Sequence, residues 1–317
     1  MSLPWIESPY FNDILKRKIL KPEKEKIARD YRDNGFTVIK NIFNERELDL
    51  VSEEMNSKGF NSEYSMSNNR DEYRVQDLWM HSKPVTNLSC KKEILDILEM
   101  LYNREPLPFQ TLNFRIGSQQ AAHSDTIHFS SLPSRFMCGV WVALEDMTEE
   151  NGTVFYCPGT QKLPEYDFTH IINEPRKTTY EDYKTYENFM EELVKDKGFK
   201  KVPFYAKKGD VLIWSSNIIH GGMPVLDEKL TRYSQVTHYY FKDCYCYVPM
   251  LSNMATKEYF LRNNLIDIKT GNKIAQSYNG IVYNQIQTEP GLFILNKKLK
   301  RLPKIFRALG YSGYHLK

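Results

Sequence analysis

A chain of 317 residues can bury a substantial core without disulfides, and its net charge of +3 is too small to argue for a nucleic-acid partner. The five cysteines are odd in number and scattered, and the amino terminus lacks the basic-then-apolar pattern of a signal peptide; both are expected of a cytoplasmic protein. No apolar run approaches the roughly 20 residues that cross a bilayer, and 21 Tyr within a 13% aromatic fraction suit a sheet-rich protein.

Pro22-Glu23-Lys24-Glu25 opens a charged helix that should stop at Asn34-Gly35, and Phe36–Ile39 reads as a short strand. Asn44, with Glu47 three residues on, has capping-box spacing, and Leu48, Val51 and Met55 continue at helical period. Residues 60–87 are polar and aperiodic, which predicts a long loop or an irregular strand pair. Lys91–Asn103 predicts a helix whose apolar face is Ile94, Leu95, Ile97, Leu98 and Leu101.

From Pro108 the pattern changes to short β-branched and aromatic runs punctuated by Gly, Pro and Asn. Seven strands are predicted, at 109–116, 136–145, 153–157, 202–206, 210–214, 232–241 and 244–248, a series that suits a sandwich or barrel such as a jelly roll. Residues 165–200 interrupt the series as a helical excursion over the barrel mouth. The whole reads as a single domain: a helical lead-in to about residue 107, a β core over about 108–250, and an extension over 251–317. Cys244 and Cys246 belong to a strand, with no further pair to complete a zinc set. From Leu292 to Lys317 there are seven Lys or Arg and no acid among apolar residues. That segment either packs on the domain with its charges solvated, the favoured reading, or makes a weak peripheral contact with anionic lipid.

One stretch carries chemistry. In Gly117-Ser118-Gln119-Gln120-Ala121-Ala122-His123-Ser124-Asp125, between two β runs, one residue separates an imidazole from a carboxylate, so an extended backbone aims both to one side. The pair alone is weak. Downstream, Asn217-Ile218-Ile219-His220-Gly221-Gly222 ends a strand in glycines, and Arg232 opens the alternating run Arg232-Tyr233-Ser234-Gln235-Val236. An Arg pointing into a barrel requires an anion. Two His and one carboxylate on one face of iron leave positions for a bidentate 2-oxo acid and dioxygen, and Arg232 is shaped to hold the far carboxylate of that acid.

The block from Gly139-Val140-Trp141 through Asn151-Gly152-Thr153 to Pro158-Gly159-Thr160 resembles the strand, turn and strand that follow the iron motif in the phytanoyl-CoA dioxygenase family. Asn113-Phe114-Arg115-Ile116-Gly117 resembles the strand before that motif, and His220-Gly221-Gly222 with Arg232 resembles the distal motif. The resemblance covers residues 109–241 well and 30–60 weakly. It implies a mainly β protein with flanking helices, built on a double-stranded β-helix (cupin-like jelly roll), that uses Fe(II), 2-oxoglutarate and O2. His123, Asp125 and His220 would be the iron ligands and Arg232 the 2-oxoglutarate partner, with Asn113, Trp141 and Ser234 around the co-substrate. His128, Gln110, Thr111 and Arg135 are candidate substrate contacts. Thr160-Gln161 departs from the Ser-His usual in relatives. Because Asp125 is a carboxylate where halogenating relatives carry a small residue, the resemblance favours hydroxylation of an aliphatic C–H bond. The expected substrate is a small or medium polar metabolite, a sugar or a lipid-linked precursor among the candidates. The alternative is a non-catalytic or differently metallated β-helix protein that binds a sugar or a partner protein.

Overall fold

The structure, a computed structural model, describes residues 3–59, 74–172, 178–253, 258–279, 281–282, 286–289 and 292–294. Helices α1 (Phe11–Lys18), α2 (Pro22–Asn34) and α3 (Glu45–Glu54) flank strand β1 (Phe36–Ile39). Pro22 sits in the first turn of α2, and Gly35, at φ +85°, ends it in the left-handed conformation open to glycine. The α3 capping box forms as the spacing predicts: Asn44 accepts from the Glu47 N–H and Glu47 from the Asn44 N–H, both at 2.9 Å.

Residues 60–73 lie outside the described residues. The remainder of the predicted loop is ordered structure: strand β2 (Arg74–Gln76), a 3-10 turn at Leu78–Met80, and helix α4 (Lys83–Ser89) capped by Ser82. The pairing of β2 with the next strand, and the packing of Val75, Leu78, Val85 and Leu88 in the core, supply an order that polar composition hid. Helix α5 (Lys92–Tyr102) buries Ile94, Leu98 and Leu101 completely. Truncating one such Leu to Ala costs about 2–5 kcal/mol.

Strands β3 (Pro106–Phe114), β4 (Ser130–Leu132), β5 (Met137–Ala143), β6 (Val154–Tyr156), β7 (Val202–Pro203), β8 (Val211–Ser215), β9 (His220–Gly222), β10 (Ser234–Phe241), β11 (Tyr245–Tyr247) and β12 (Phe260–Arg262) follow. The major sheet has the order β1-β8-β5-β10-β3-β2 and the minor sheet β7-β6-β9, all antiparallel pairs. Trp141, Ala143, Leu212, Trp214 and Val236 project from the major sheet toward Tyr156 and Phe204, filling the space between the two sheets. On the opposite face Cys138, Val140, Val142, Val211, Ile213, Tyr239 and Phe241 pack against the helices. Strands β5, β8 and β10 are therefore buried on both faces; β5 and β8 read as near-continuous apolar runs, whereas β10 buries Ser234, Gln235, Thr237 and His238 as well. This is the jelly-roll architecture with flanking helices.

The carboxy-terminal section, where no strands are predicted from sequence, adds β13 (Ser277–Tyr278), β14 (Ile281–Val282), β15 (Ile286–Glu289) and β16 (Leu292–Ile294); among the described residues β13 and β14 pair only with each other, and β15 and β16 extend a third sheet of order β15-β16-β12-β11-β4. Residues 295–317, with most of the basic segment, lie outside the described residues. Within 165–200 the chain forms the short helix α6 (Phe168–Ile171) and the amphipathic α7 (Tyr183–Asp196). Among the described residues no helix is long and apolar enough to cross a membrane.

Candidate metal centre and co-substrate pocket

The loop before His123 runs antiparallel to β9. The His123 N–H donates to the His220 carbonyl and the His220 N–H to the His123 carbonyl, both at 2.9 Å, and the Gly222 N–H donates to the Gln120 carbonyl at 2.9 Å. A Cβ on Gly221 would lie 2.6 Å from the Gln120 carbonyl oxygen, and one on Gly222 2.7 Å from the Gln119 nitrogen. The paired glycines permit this approach, which brings the His123 and His220 rings to a centroid distance of 4.4 Å. Ser124 is extended and Asp125 then opens a 3-10 turn, stabilised where the Ser124 hydroxyl accepts from the Thr126 N–H at 3.3 Å.

One donor atom each from His123, Asp125 and His220 lies within 4.8 Å of the others, and this is the one such group among the described residues. The His123 Nδ1 is 2.9 Å from the Ala121 carbonyl and the His220 Nδ1 is 3.2 Å from the Ile218 carbonyl. A carbonyl only accepts, so each Nδ1 carries the proton and each Nε2 presents a lone pair. Asp125 Oδ2 accepts from the Trp214 indole N–H at 2.7 Å, while Oδ1 faces His220 Nε2 at 3.8 Å. Trp214 reaches this position across Gly139, where a Cβ would fall 2.3 Å from its ring.

Burial, then the neighbouring His220, pushes the His123 pKa down to about 3, so the imidazole is neutral and ligand-ready at neutral pH. For Asp125 burial acts upward, but His220, His238, His123 and the Trp214 N–H outweigh it and hold the carboxyl below its ordinary range. Two imidazole nitrogens and a carboxylate oxygen are the donor set of a non-haem Fe(II) site, so the residues fit that metal.

The three ligand candidates open into a cavity of about 790 Å³ also lined by Arg232 and Trp141. Arg232 is 1% exposed; its Nη1 donates to the Ser234 hydroxyl at 2.8 Å, its Nη2 to the Ile116 carbonyl at 3.4 Å, and among the described residues its Nε has no hydrogen-bond partner. Burial lowers its pKa to about 10, which still leaves it cationic. Trp141 Nε1, fully buried, is likewise unpartnered. A buried cation and a buried donor facing one cavity are what the carboxylates of a 2-oxo acid would satisfy.

Residues His123, Asp125, His220, Arg232, Trp141, Ser234, His128 and Gln110 are thus brought together. Three others are not. Asn113 and Thr111 face the helices, because on β3 it is Gln110, Leu112 and Phe114 that turn inward. Asn113 Nδ2 donates to Gln235 Oε1 at 3.1 Å, in a network that reaches Ser89 of α4, and Thr111 pairs across the strands with Thr237 of the same network. Arg135 lies elsewhere, clamped between Glu7 and Glu165 as an ion-paired tie between the chain's start and the 165–200 segment.

His238 is a site residue that the sequence reading missed. Its Nε2 lies 3.9 Å from Asp125 Oδ2 and its Nδ1 is 2.9 Å from Gln110 Oε1. The alternation Arg232, Ser234, Val236, His238 would have identified it, since period two carries all four to one face. Trp214 gave no such signal, because its bond to Asp125 depends on how β8 is stacked over the 3-10 turn. The mouth is formed partly by α7: Tyr183 accepts from Gln120 Nε2 at 3.1 Å and packs against His128 at 4.8 Å between ring centroids, and Glu191 accepts from the Ala122 N–H at 2.8 Å.

Comparison with known proteins gives a consistent picture. The family model described as Phytanoyl-CoA dioxygenase (PhyH) matches residues 31–232. The peroxisomal phytanoyl-CoA dioxygenase of Bos taurus is 23% identical over 248 residues, which are 69% of this chain and 68% of that protein. Among solved structures, EctD from S. alaskensis with 2-oxoglutarate and 5-hydroxyectoine superposes with a TM-score of 0.54 at 17% identity, covering 75% of this chain and 80% of that one. The epimerase SnoN, in complex with Fe3+, alpha ketoglutarate and nogalamycin RO, gives 0.51 at 17% identity, covering 70% and 85%.

Proposed function

The chain belongs to the phytanoyl-CoA dioxygenase family, and on that premise we propose that it is an Fe(II)- and 2-oxoglutarate-dependent oxygenase that hydroxylates an aliphatic C–H bond of a small or medium polar metabolite. The observation that carries this reading is the convergence of His123, Asp125 and His220 donor atoms within 4.8 Å at the wall of a cavity that also holds the buried Arg232. Iron and 2-oxoglutarate together would supply an oxidant able to attack an unactivated C–H bond, with conversion of the 2-oxo acid to succinate and CO2.

The chain's own residues do the positioning. His123 and His220 would bind the metal through Nε2, their Nδ1 protons held on the Ala121 and Ile218 carbonyls, and Asp125 would bind through Oδ1 while Trp214 restrains Oδ2. Arg232, oriented by Ser234, would pair with the distal carboxylate of 2-oxoglutarate. Burial pushes the pKa of His128 and of His238 down to about 4, so both rings are neutral at neutral pH and offer hydrogen bonds without charge beside the reacting carbon. A carboxylate at position 125 occupies the place a halide would need, which favours hydroxylation. Anaerobic addition of Fe(II) and then 2-oxoglutarate should give the weak charge-transfer band of the chelate near ~500 nm. Absence of that band at saturating reagents rejects the reading.

A further inference from the structure

Helix α7 does more than border the cavity mouth, because one of its side chains reaches the peptide group that holds His123. The Ala121 carbonyl that accepts the His123 Nδ1 proton at 2.9 Å and the Ala122 N–H that donates to Glu191 Oε1 at 2.8 Å belong to one peptide unit. A carboxylate is thereby linked to a candidate ligand by two hydrogen bonds and one amide, at a point where Ala122 is fully buried. Lys201 fixes the other side of Glu191, donating to Oε1 at 2.9 Å and to Oε2 at 2.7 Å, and its ammonium lies 4.7 Å from the Phe155 ring centroid. Burial acts upward on the Glu191 carboxyl, but Lys201 and the Ala122 N–H outweigh it and hold it below its ordinary range, so it is ionised at neutral pH.

The second histidine shows what is particular about the first. His220 Nδ1 donates to the Ile218 carbonyl at 3.2 Å, and the N–H of that same peptide unit, on Ile219, donates to Thr160 Oγ1 at 2.9 Å. The Thr160 hydroxyl gives its own proton to the Cys157 carbonyl at 2.7 Å. Both imidazoles are thus held through a peptide, but one chain ends on a neutral hydroxyl and the other on a charge. A carboxylate that accepts an amide N–H polarises the amide toward a more negative oxygen, and hydrogen bonds in such a chain strengthen one another. Holding the far proton of a metal-binding imidazole orients the ring and raises its basicity, whether the acceptor is a carboxylate itself or a carbonyl polarised by one.

We propose that Glu191 is a positioning residue for the metal centre: through the Ala121-Ala122 peptide its carboxylate anchors the Nδ1 proton of His123, sets the direction of that ring and strengthens Nε2 as a donor to iron. The proposal rests on the oxygenase reading for the identity of the metal. It makes the inserted helix a support of the iron site, although none of its residues is a candidate ligand.

The test is anaerobic calorimetric titration of the metal-free full chain with Fe(II), followed by redox titration of the loaded protein for its Fe(III)/Fe(II) midpoint potential. Glu191 is partly exposed, and Gln and Ala are both good helix formers, so E191Q and E191A keep the fold. Gln retains an acceptor for the Ala122 N–H and loses the charge; Ala loses both. We expect E191A to weaken Fe(II) binding about tenfold, the lower end of the range for groups outside the coordination shell, with E191Q between it and wild type. Both should raise the potential, because a weaker donor favours the lower oxidation state. K201Q leaves the carboxylate without its counter-charge and should move the potential the other way. Wild-type affinity and potential in E191A overturn the proposal. So does an E191Q protein as impaired as E191A, which would mean a charge acting through space and not through the peptide, and so does a raised potential in K201Q, the sign of a loosened helix. The two ideas fail separately. A wild type that binds no Fe(II) rejects both, one that binds it without the chelate band on adding 2-oxoglutarate rejects the oxygenase reading, and one with the band whose variants match it rejects the role of Glu191 alone.

Discussion

The two ends of the cavity are built in different ways. At the metal end, His123, Asp125 and His220 come from two segments hydrogen-bonded to each other through the Gly221-Gly222 approach, and Arg232 stands just before β10 on the face that its alternation turns to the cavity. At the far end, Arg74, Tyr183 and Arg262 come from an edge strand, an inserted helix and a third sheet, elements brought together only by long-range packing. The candidate ligands depend on local register, and the lining of the far end on how remote segments dock.

The largest effect should come from removing a ligand. Asp125→Ala is expected to lower Fe(II) affinity by more than about 100-fold, beyond the range for partners outside the coordination shell, and to abolish succinate release; metal titration followed by turnover assay checks it. Arg232→Gln should come next. It leaves one carboxylate of the co-substrate unpaired in a buried site, at a cost of about 2–5 kcal/mol, so the 2-oxoglutarate KM should rise by at least about 30-fold with Fe(II) affinity unchanged. Trp214→Phe removes one N–H from Asp125 while keeping the ring over Gly139, and should weaken Fe(II) binding by about 10–100-fold. If it binds iron like wild type, Asp125 is oriented without the indole. The smallest effect separates the two faces of β3: Asn113→Ala should lower stability by about 1 kcal/mol in denaturant unfolding while leaving the 2-oxoglutarate KM within about twofold of wild type. A large KM change there would mean that Asn113 does reach the co-substrate.

That last contrast explains how much could be read from the chain. Helix α2, strand β1 and the Asn44 capping box follow directly from local signals, because caps, proline and glycine act within a few residues. The candidate ligand set was also legible, though only in combination: His-x-Asp is weak alone and gains meaning from His-Gly-Gly at a strand end and from Arg232 at the start of an alternating run. The inward face of β3 was not. A strand buried on both sides has no polar side to orient it, so alternation establishes that Asn113 and Phe114 differ in direction without saying which one faces the cavity. Arg135 likewise reads as a candidate substrate contact until Glu7 and Glu165, distant in sequence, are seen beside it.

The sequence by itself pointed to the class of chemistry, through the ordered set of His123, Asp125, His220 and Arg232 together with the Trp141 to Thr160 block that resembles the family. Tertiary structure alone decided the rest: which face of each doubly buried strand lines the cavity, that the Trp214 indole donates to Asp125, and that Arg262 enters from beyond the β core. The physical reason is range. Backbone period and turn chemistry act over a few residues and are written locally, whereas the charge and shape of a cavity are sums over groups hundreds of residues apart, defined only once the sheets have packed.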